Sequence, residues 1–190
     1  MNDEQDMVRT QAPWVDAEGM HGPRVVVAVD GSAGSRAALQ FAVADAARRG
    51  VPVEAVIAYR WPDYLMDFDV MGTADTERMR TRLRADAEGR VRELVDEVTG
   101  ASPDPAPEVR IRAMHGAPAD VLVRASEGAS LLVVGSRGHG GFSSLLLGST
   151  SMQCAMHATC PVTVVHSPEA RRHRLRLHRE RRAAEPATVC

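Results

Sequence analysis

The strongest chemical signal in the sequence is a glycine-rich loop within residues 131–150, LLVVGSRGHGGFSSLLLGST. The apolar run Leu131 to Val134 predicts a buried parallel strand, and the glycines after it allow the backbone to approach a ligand closely. Backbone N–H groups in such a loop can converge on an anion, and the helix that follows adds its own unpaired N-terminal N–H groups. The segment therefore predicts a phosphate-binding loop and a candidate nucleotide site.

Neither of the two common phosphate-binding motifs fits this loop. A Walker A loop ends in Gly-Lys-Ser or Gly-Lys-Thr, whereas this chain contains no lysine. The Rossmann dinucleotide motif needs a third glycine at a fixed offset, which Gly138, Gly140 and Gly141 do not provide, and it follows the first strand of the sheet. The loop therefore needs a different assignment.

Each polar group of the loop has an expected role. Residues 136–141 would supply N–H groups to phosphate oxygens, and Ser149 would be the N-cap of the next helix through its hydroxyl. Arg137 either pairs with a phosphate through two hydrogen bonds or is merely solvated. The alternative for the whole loop is a plain turn, but a plain turn does not require the second Gly-Ser at Gly148 and Ser149.

Two further positions at strand ends are candidates for ligand contact. Asp30 ends an otherwise apolar strand, where a carboxylate is costly unless it meets solvent or a ligand; the alternative is that it caps the next helix with Ser32. Tyr59 begins a connection that also holds Trp61, Tyr64 and Phe68. These clustered rings either stack on a base or cover an edge of the core.

Other catalytic patterns receive little support. Cys154, His157 and Cys160 have the spacing of metal ligands, but no fourth ligand is evident, and a buried helix cysteine such as Cys154 is usually inert. The sequence shows no Gly-x-Ser-x-Gly motif, no evident Ser/His/Asp set and no carboxylate pair after the loop for magnesium. This pattern favours binding over turnover, and no metal site is predicted.

The elements that must position these residues alternate along the chain. Strands are predicted at 25–29, 51–59, 109–114, 131–134 and 161–166, and helices at 33–49, 76–98, 118–126 and 149–157. Such alternation predicts an α/β fold in which helices cover both faces of a parallel sheet.

Composition limits the class of protein. The 190 residues suffice for one good core, and no apolar run approaches the ~20 residues that span a bilayer. Three cysteines and the absence of a signal-like apolar segment in residues 1–22 predict a cytoplasmic protein without disulfides. Residues 170–190 carry a charge of +5 and residues 1–169 a charge of −7, so a nucleic-acid reader is not expected.

Four segments, in order, resemble the universal stress protein family. Gly135, Gly138 and Gly148-Ser149 resemble the signature of its ATP-binding branch, which is glycine, two residues, glycine, nine residues, glycine and serine or threonine. The other segments are RVVVAVDGSAGSRAAL at 24–39, HGAPADVLVRA at 115–125 and CPVTVVH at 160–166. The expected organisation is a flexible tail at 1–22, a universal stress protein domain at 23–168 and an arginine-rich tail at 169–190.

The resemblance implies a doubly wound, Rossmann-like fold of the adenine nucleotide alpha hydrolase-like type, with five parallel strands in the order 3-2-1-4-5. The strand pattern alone also allows the flavodoxin-like order. In the implied order the first and fourth strands are neighbours, so Asp30 and Gly135 would lie side by side at the switch point where such folds bind ligands.

The resemblance also implies roles for individual residues. The glycines and Ser149 would hold the ribose and phosphates, with Thr150 as a further main-chain donor, and Asp30 would lie against the adenosine. Ala28, which stands where many relatives carry proline, would line the adenine pocket with Val29. The predicted site comprises Ala28, Val29, Asp30, Tyr59, Val134, Gly135, Arg137, Gly138, Gly148, Ser149 and Thr150.

The implied function is that of an ATP-binding regulator of the stress response, with or without magnesium. It would be a homodimer that pairs through its last strand, Val162 to His166, and would act on an unknown protein partner. Two alternatives stay open. One is slow ATP hydrolysis or nucleotidyl transfer in the same pocket, and the other is a dimeric scaffold without nucleotide.

Overall fold

Strands and helices alternate through the part of the chain that the computed structural model describes, residues 22–60, 73–101, 106–138 and 147–168. The strands are β1 Val25–Ala28, β2 Val53–Tyr59, β3 Val109–His115, β4 Leu131–Gly135 and β5 Val162–Val165. The helices are α1 Ala33–Arg49, α2 Thr73–Gly100, α3 Pro118–Ala125 and α4 Ser149–His157. The strands are parallel and lie in the order β3-β2-β1-β4-β5, which confirms the predicted fold.

The neighbouring strands β1 and β4 consist of apolar residues and one glycine because both faces of the sheet are covered there. Val25 and Val27 of β1 pack with α1 and α2 on one face, and Val26 packs with α3 and α4 on the other. All three valines are fully buried. Val25 pairs in register with Val53 of β2 and with Leu131 of β4, so the apolar runs line up across the middle of the sheet.

Helix α1 begins and ends at residues suited to those positions. The Ser32 hydroxyl accepts a hydrogen bond from the Ser35 N–H at 3.1 Å, an N-cap interaction that contributes about 1 kcal/mol. The helix ends at Gly50, whose φ of 66° is a left-handed conformation that glycine adopts without strain. Ser32 therefore fixes the position of the N-terminal turn of α1 after β1, and Gly50 ends the helix before β2.

Most predicted boundaries agree with the structure within one or two residues, and α4 agrees at both ends. Helix α2 extends beyond the predicted 76–98 in both directions. Its apolar positions are buried only in the C-terminal half, at Ala87, Val91, Leu94, Val95 and Val98. The N-terminal half is mostly exposed and includes paired charges such as Arg84 with Glu88 at 2.8 Å, so apolar periodicity underestimates its length.

A buried ion-pair network closes the amino end of the sheet. Glu54 of β2 is 2% exposed and accepts hydrogen bonds from Arg24 Nε at 2.6 Å and from an Arg112 guanidinium nitrogen at 3.0 Å. Arg24 also donates to the carbonyl oxygens of Ala125 at 3.0 Å and Glu127 at 3.2 Å, at and just after the end of α3. The network therefore ties β1, β2 and β3 to α3 at one end of the molecule.

No helix in the described ranges is both long enough and apolar enough to cross a membrane. The predictions for the two tails lie largely outside the described residues, as do those for Trp61, Tyr64 and Phe68 and for loop residues 139–146.

Candidate functional site

A cleft opens at the carboxyl ends of β1 and β4, the point at which the strand order reverses. Every residue of the predicted site except Tyr59 lines it. The cleft has a volume of about 210 Å³. The lining residues that the sequence prediction did not include are Ser32, Ser35, Val56, Ala58, Pro118, Leu122 and Ser151.

Two glycines bring two elements of the cleft into direct backbone contact, and a third lies against a side chain. A Cβ on Gly135 would lie 2.7 Å from the backbone carbon of Gly34, and a Cβ on Gly34 would overlap the carbonyl oxygen of Arg137. The first turn of α1 can therefore pack on the end of β4 only because both positions lack a side chain. Gly138 similarly lies over Asp30, whose Oδ2 would collide with an added Cβ.

Asp30 is exposed at the mouth of the cleft, where the sequence predicts it. Its Oδ1 accepts a hydrogen bond from the Ser32 N–H at 2.9 Å. Ser32, and not Asp30, caps α1. The aspartate therefore orients the start of α1 and also presents a carboxylate beside Gly138.

Two of the expected phosphate donors are already engaged. The Ser136 N–H donates to the Val165 carbonyl oxygen at 2.7 Å, and the Gly148 N–H donates to the Ser136 carbonyl oxygen at 2.8 Å. The expectation that the whole run 136–141 faces a ligand is therefore wrong for Ser136, whose N–H joins β4 to β5. Arg137 and Gly138 are the described loop residues that line the cleft after it.

The expectation that Ser149 is the N-cap of α4 is also wrong. Gly148 holds the N-cap position, with φ −71° and ψ 159°, and Ser149 is the first residue of the helix. Glycine has no side-chain oxygen to satisfy the first N–H groups of the helix, which have no intrahelical acceptor. The N-terminal turn of α4, Ser149 to Ser151, therefore directs unpaired N–H groups and a positive dipole end toward the cleft.

The Ser151 side chain holds this helix end in place. Its hydroxyl donates to the Gly135 carbonyl oxygen at 2.6 Å, and the residue is buried. Helix α4 is thereby joined to the last residue of β4. The helix N-terminus and the glycine loop form one rigid corner of the cleft.

The rest of the cleft is apolar. Val56 and Ala58 of β2 form part of its wall, Pro118 and Leu122 of α3 face it, and Ala28, Val29 and Val134 complete it. A cleft with an apolar side and a corner of backbone donors suits a ligand that has a flat apolar part and an anionic part.

Tyr59 does not lie in this cleft, contrary to the prediction. Side chains alternate between the two faces of a strand, so Ala58 faces the cleft and Tyr59 lies on the opposite face, toward α2. There its ring makes an edge contact with His115, with ring centroids 5.6 Å apart and planes at 65°. Tyr59 therefore covers an edge of the core, which is the alternative to stacking on a base.

The cysteines lie apart from the cleft. Cys154 is fully buried, and burial raises its pKa from 9.0 to about 11, so its thiol stays protonated at neutral pH. Burial also raises the pKa of the half-buried Cys160 thiol. Across the described ranges, no group of three His, Cys, Asp or Glu side chains is arranged to hold a metal ion.

Comparison with known proteins agrees with this architecture. Residues 23–166 match the family model described as universal stress protein family. The chain belongs to the universal stress protein family. The strand order that the family resemblance implies, 3-2-1-4-5, is the order that the structure shows.

Individual universal stress proteins are similar to this chain in sequence and in fold. One from Mycolicibacterium smegmatis is 34% identical over 154 residues, which cover 79% of this chain and 48% of the relative. The chain thus spans about half the length of the curated relatives it matches. A universal stress protein solved in complex with cAMP is 27% identical, with a TM-score of 0.57 and coverage of 76% of this chain and 97% of the other. One from Lactobacillus plantarum, 22% identical, shares the fold with a TM-score of 0.57, over 75% of this chain and 97% of its own.

Proposed function

We propose that this universal stress protein belongs to the ATP-binding branch of its family and that it binds ATP in the cleft between β1 and β4. The binding would bias its conformation or its contacts with a protein partner, as expected of a nucleotide-dependent regulator of the stress response. The observation that carries the proposal is the convergence of the glycine loop, Asp30 and the uncapped end of α4 on one cleft.

The two halves of the cleft support a nucleotide with a defined orientation. The adenine would pack against the apolar wall at Ala28, Val56 and Leu122, and the phosphates would reach the corner formed by Gly138 and α4. Backbone donors at a helix N-terminus suit phosphate because they carry partial positive charge and need no side-chain reorganisation. The relative solved with cAMP, an adenine nucleotide, supports this ligand class.

Binding without rapid turnover suits the residues at this site. Asp30 is the one carboxylate among the described residues that line the cleft. Its Oδ1 already accepts a hydrogen bond from the Ser32 N–H. The described lining therefore holds no second carboxylate that could share a magnesium ion with Asp30. We therefore place ATP binding ahead of hydrolysis or nucleotidyl transfer, and magnesium would arrive with the nucleotide.

The proposal includes a homodimer that forms through β5. This strand lies at one edge of the sheet, and all four of its residues are half-exposed. An exposed strand edge presents unpaired backbone groups that a second copy can satisfy. Analytical ultracentrifugation should give twice the chain mass of 20.5 kDa, and a purely monomeric species would contradict this part of the proposal.

Thermal unfolding of the nucleotide-stripped protein with and without Mg-ATP tests the central proposal. A ligand that binds only the native state raises its stability, by about 2.7 kcal/mol at a concentration of 100 times the dissociation constant. We expect Mg-ATP to raise the melting temperature of the wild type but not that of Gly138→Asp, because the new side chain would collide with Asp30 and add a second negative charge.

A matched control separates this effect from the added charge alone. Gly100→Asp introduces the same side chain at the exposed end of α2, where an added Cβ meets nothing within 4 Å. This variant should keep the full increase with Mg-ATP. An equal increase in Gly138→Asp would place ATP outside this cleft and contradict the proposal. No increase in the wild type would also contradict it and would favour the nucleotide-free scaffold.

A further inference from the structure

A second cleft lies on the opposite face of the sheet, beyond the carboxyl end of β2. The described residues that line it are Ala58, Tyr59 and Arg60 at the end of the strand and Leu83, Asp86 and Arg90 of α2. Its volume is about 660 Å³. Ala58 borders both clefts, so a single strand separates them.

The charged groups of the second cleft make it a site for an anion. Arg60 and Arg90 enter from different elements, one from the end of β2 and one from α2, and Asp86 is the single acidic group among the described lining residues. The three α2 positions are three and four residues apart, so they share one face of the helix. Two guanidinium groups that line one cleft can bind a carboxylate or phosphate with paired hydrogen bonds.

Three arginines toward the start of α2 have acidic partners on the same helix. Arg78 pairs with Asp75 at 3.0 Å, Arg80 with Glu77 at 3.5 Å and Arg84 with Glu88 at 2.8 Å, in each case one turn away on the same helix. Their charges are balanced at the helix surface. Arg90 lines the cleft together with Arg60, and Asp86, one turn before Arg90 on α2, lines it too, so the described lining carries a net charge of +1.

The aromatic wall of this cleft is held in position. Tyr59 and His115 are register partners on β2 and β3, and their rings are in edge contact at 5.6 Å. Burial, and then the nearby Arg80, lowers the pKa of His115, so the imidazole is neutral at pH 7. The contact orients the ring of Tyr59, which lines the cleft beside the arginines. Leu83 extends this wall from α2.

We propose that this second cleft binds a small organic anion whose flat apolar part packs against Tyr59 and Leu83 while its carboxylate or phosphate pairs with Arg60 and Arg90. The site is separate from the nucleotide cleft and does not depend on the function proposed for it.

An NMR titration of the full chain with phenyl phosphate, and in parallel with benzoate, tests the proposal. We expect saturable shifts of the amide signals of Tyr59, Arg60, Leu83 and Arg90. A larger effect of phenyl phosphate would identify the anionic group as a phosphate, and a larger effect of benzoate would identify it as a carboxylate. Arg60→Gln combined with Arg90→Gln should weaken binding at least about tenfold, because each charge-assisted hydrogen bond contributes substantially.

Two further variants locate the site. Arg92→Gln removes an exposed α2 arginine that does not line the cleft and should bind as the wild type does. Gly138→Asp disrupts the nucleotide cleft and should leave these shifts unchanged. Binding that is lost in Gly138→Asp but kept in the double arginine variant would place the anion in the nucleotide cleft and overturn the proposal. The absence of saturable shifts with both probes would overturn it as well.

Discussion

The two ends of the sheet contain the same kinds of charged residues in opposite arrangements. At the amino end, Glu54 is 2% exposed and contacts Arg24 and Arg112 directly. At the carboxyl end, Asp30 is exposed and lies beneath Gly138, and Arg137 lines an open cleft. The amino end therefore satisfies its charges internally, whereas the carboxyl end leaves donors available to a ligand.

The difference follows from the side chains that surround each set of charges. Arg24 also donates to backbone carbonyl oxygens at and just after the end of α3, so several of its guanidinium donors are engaged within the protein. Gly138 and Gly148 supply no side chains to the loop, and the first turn of α4 has no side-chain cap. Long polar side chains at the amino end therefore stabilise the fold, whereas the lack of side chains at the carboxyl end leaves backbone N–H groups for a ligand.

The largest expected effect on stability is at the amino end. Glu54→Gln leaves Arg24 as a buried charge without its carboxylate, and removing one partner of a buried pair costs about 3–5 kcal/mol. Urea unfolding should show this loss, while the affinity for Mg-ATP in the remaining folded protein should not change. Glu97→Gln breaks the exposed pair with Arg36 and serves as the control. Equal effects of the two variants would show that the network does not hold this end together.

A smaller effect on stability, together with a loss of binding, is expected at Gly135. Gly135→Ala places a methyl group 2.7 Å from the backbone of Gly34, where no side chain can move aside, and overpacking of this kind costs about 1–3 kcal/mol. Because α1 is displaced from the cleft, the affinity for Mg-ATP should also fall, as measured by calorimetry. Gly148→Ala is the control for stability alone, because it lines the cleft but its nearest contact would be an ordinary 3.7 Å. If both alanines are tolerated equally, close backbone approach does not shape the cleft.

We expect Ser151 to stabilise the cleft and Ser149 to contact the ligand, so substitutions of the two serines should have different effects. Ser151→Ala removes the 2.6 Å hydrogen bond to the Gly135 carbonyl and should lower the free energy of unfolding by about 1–2 kcal/mol. Ser149 is exposed, so Ser149→Ala should leave the free energy of unfolding unchanged and weaken Mg-ATP binding severalfold. Urea unfolding and calorimetry of both variants test this contrast, and the reverse pattern would exchange the two roles.

The smallest effect is expected at Tyr59. The residue lies at the carboxyl end of the sheet, but on the face opposite the nucleotide cleft. Tyr59→Phe should therefore change the affinity for Mg-ATP less than about twofold, because the phenol oxygen does not reach that cleft. A tenfold loss in calorimetry would show that the tyrosine belongs to the nucleotide site after all.

Much of the fold could be predicted from the sequence because local signals and long-range contacts agree there. The apolar runs of β1 and β4 must be buried on both faces, and the glycines and aspartate that follow them mark the edge where such sheets bind ligands. The strand order itself required the family resemblance, since the pattern alone also allowed a flavodoxin-like order.

The errors at the site have definite physical causes. Ser149 was predicted as the N-cap because serine favours that position, but the chain enters α4 at Gly148, which leaves the helix end uncapped. The sequence favours Tyr59 as a nucleotide contact because it belongs to a cluster of aromatic residues that could stack on a base, and only the alternation along β2 assigns Ala58 to that side. The role of Gly34 depends on contact with β4, although a glycine within the first turn of an alanine-rich helix was a signal that could have indicated it.

Hydrogen–deuterium exchange of the full chain with and without Mg-ATP tests the difference between the two ends most directly. We predict that ATP slows exchange in the segments 28–35, 134–138 and 148–152, which border the nucleotide cleft, and leaves the backbone around Arg24, Glu54 and Ala125 unchanged. Protection confined to the amino end or to the second cleft, or no protection at all, would contradict the assignment of nucleotide binding to the carboxyl end of the sheet.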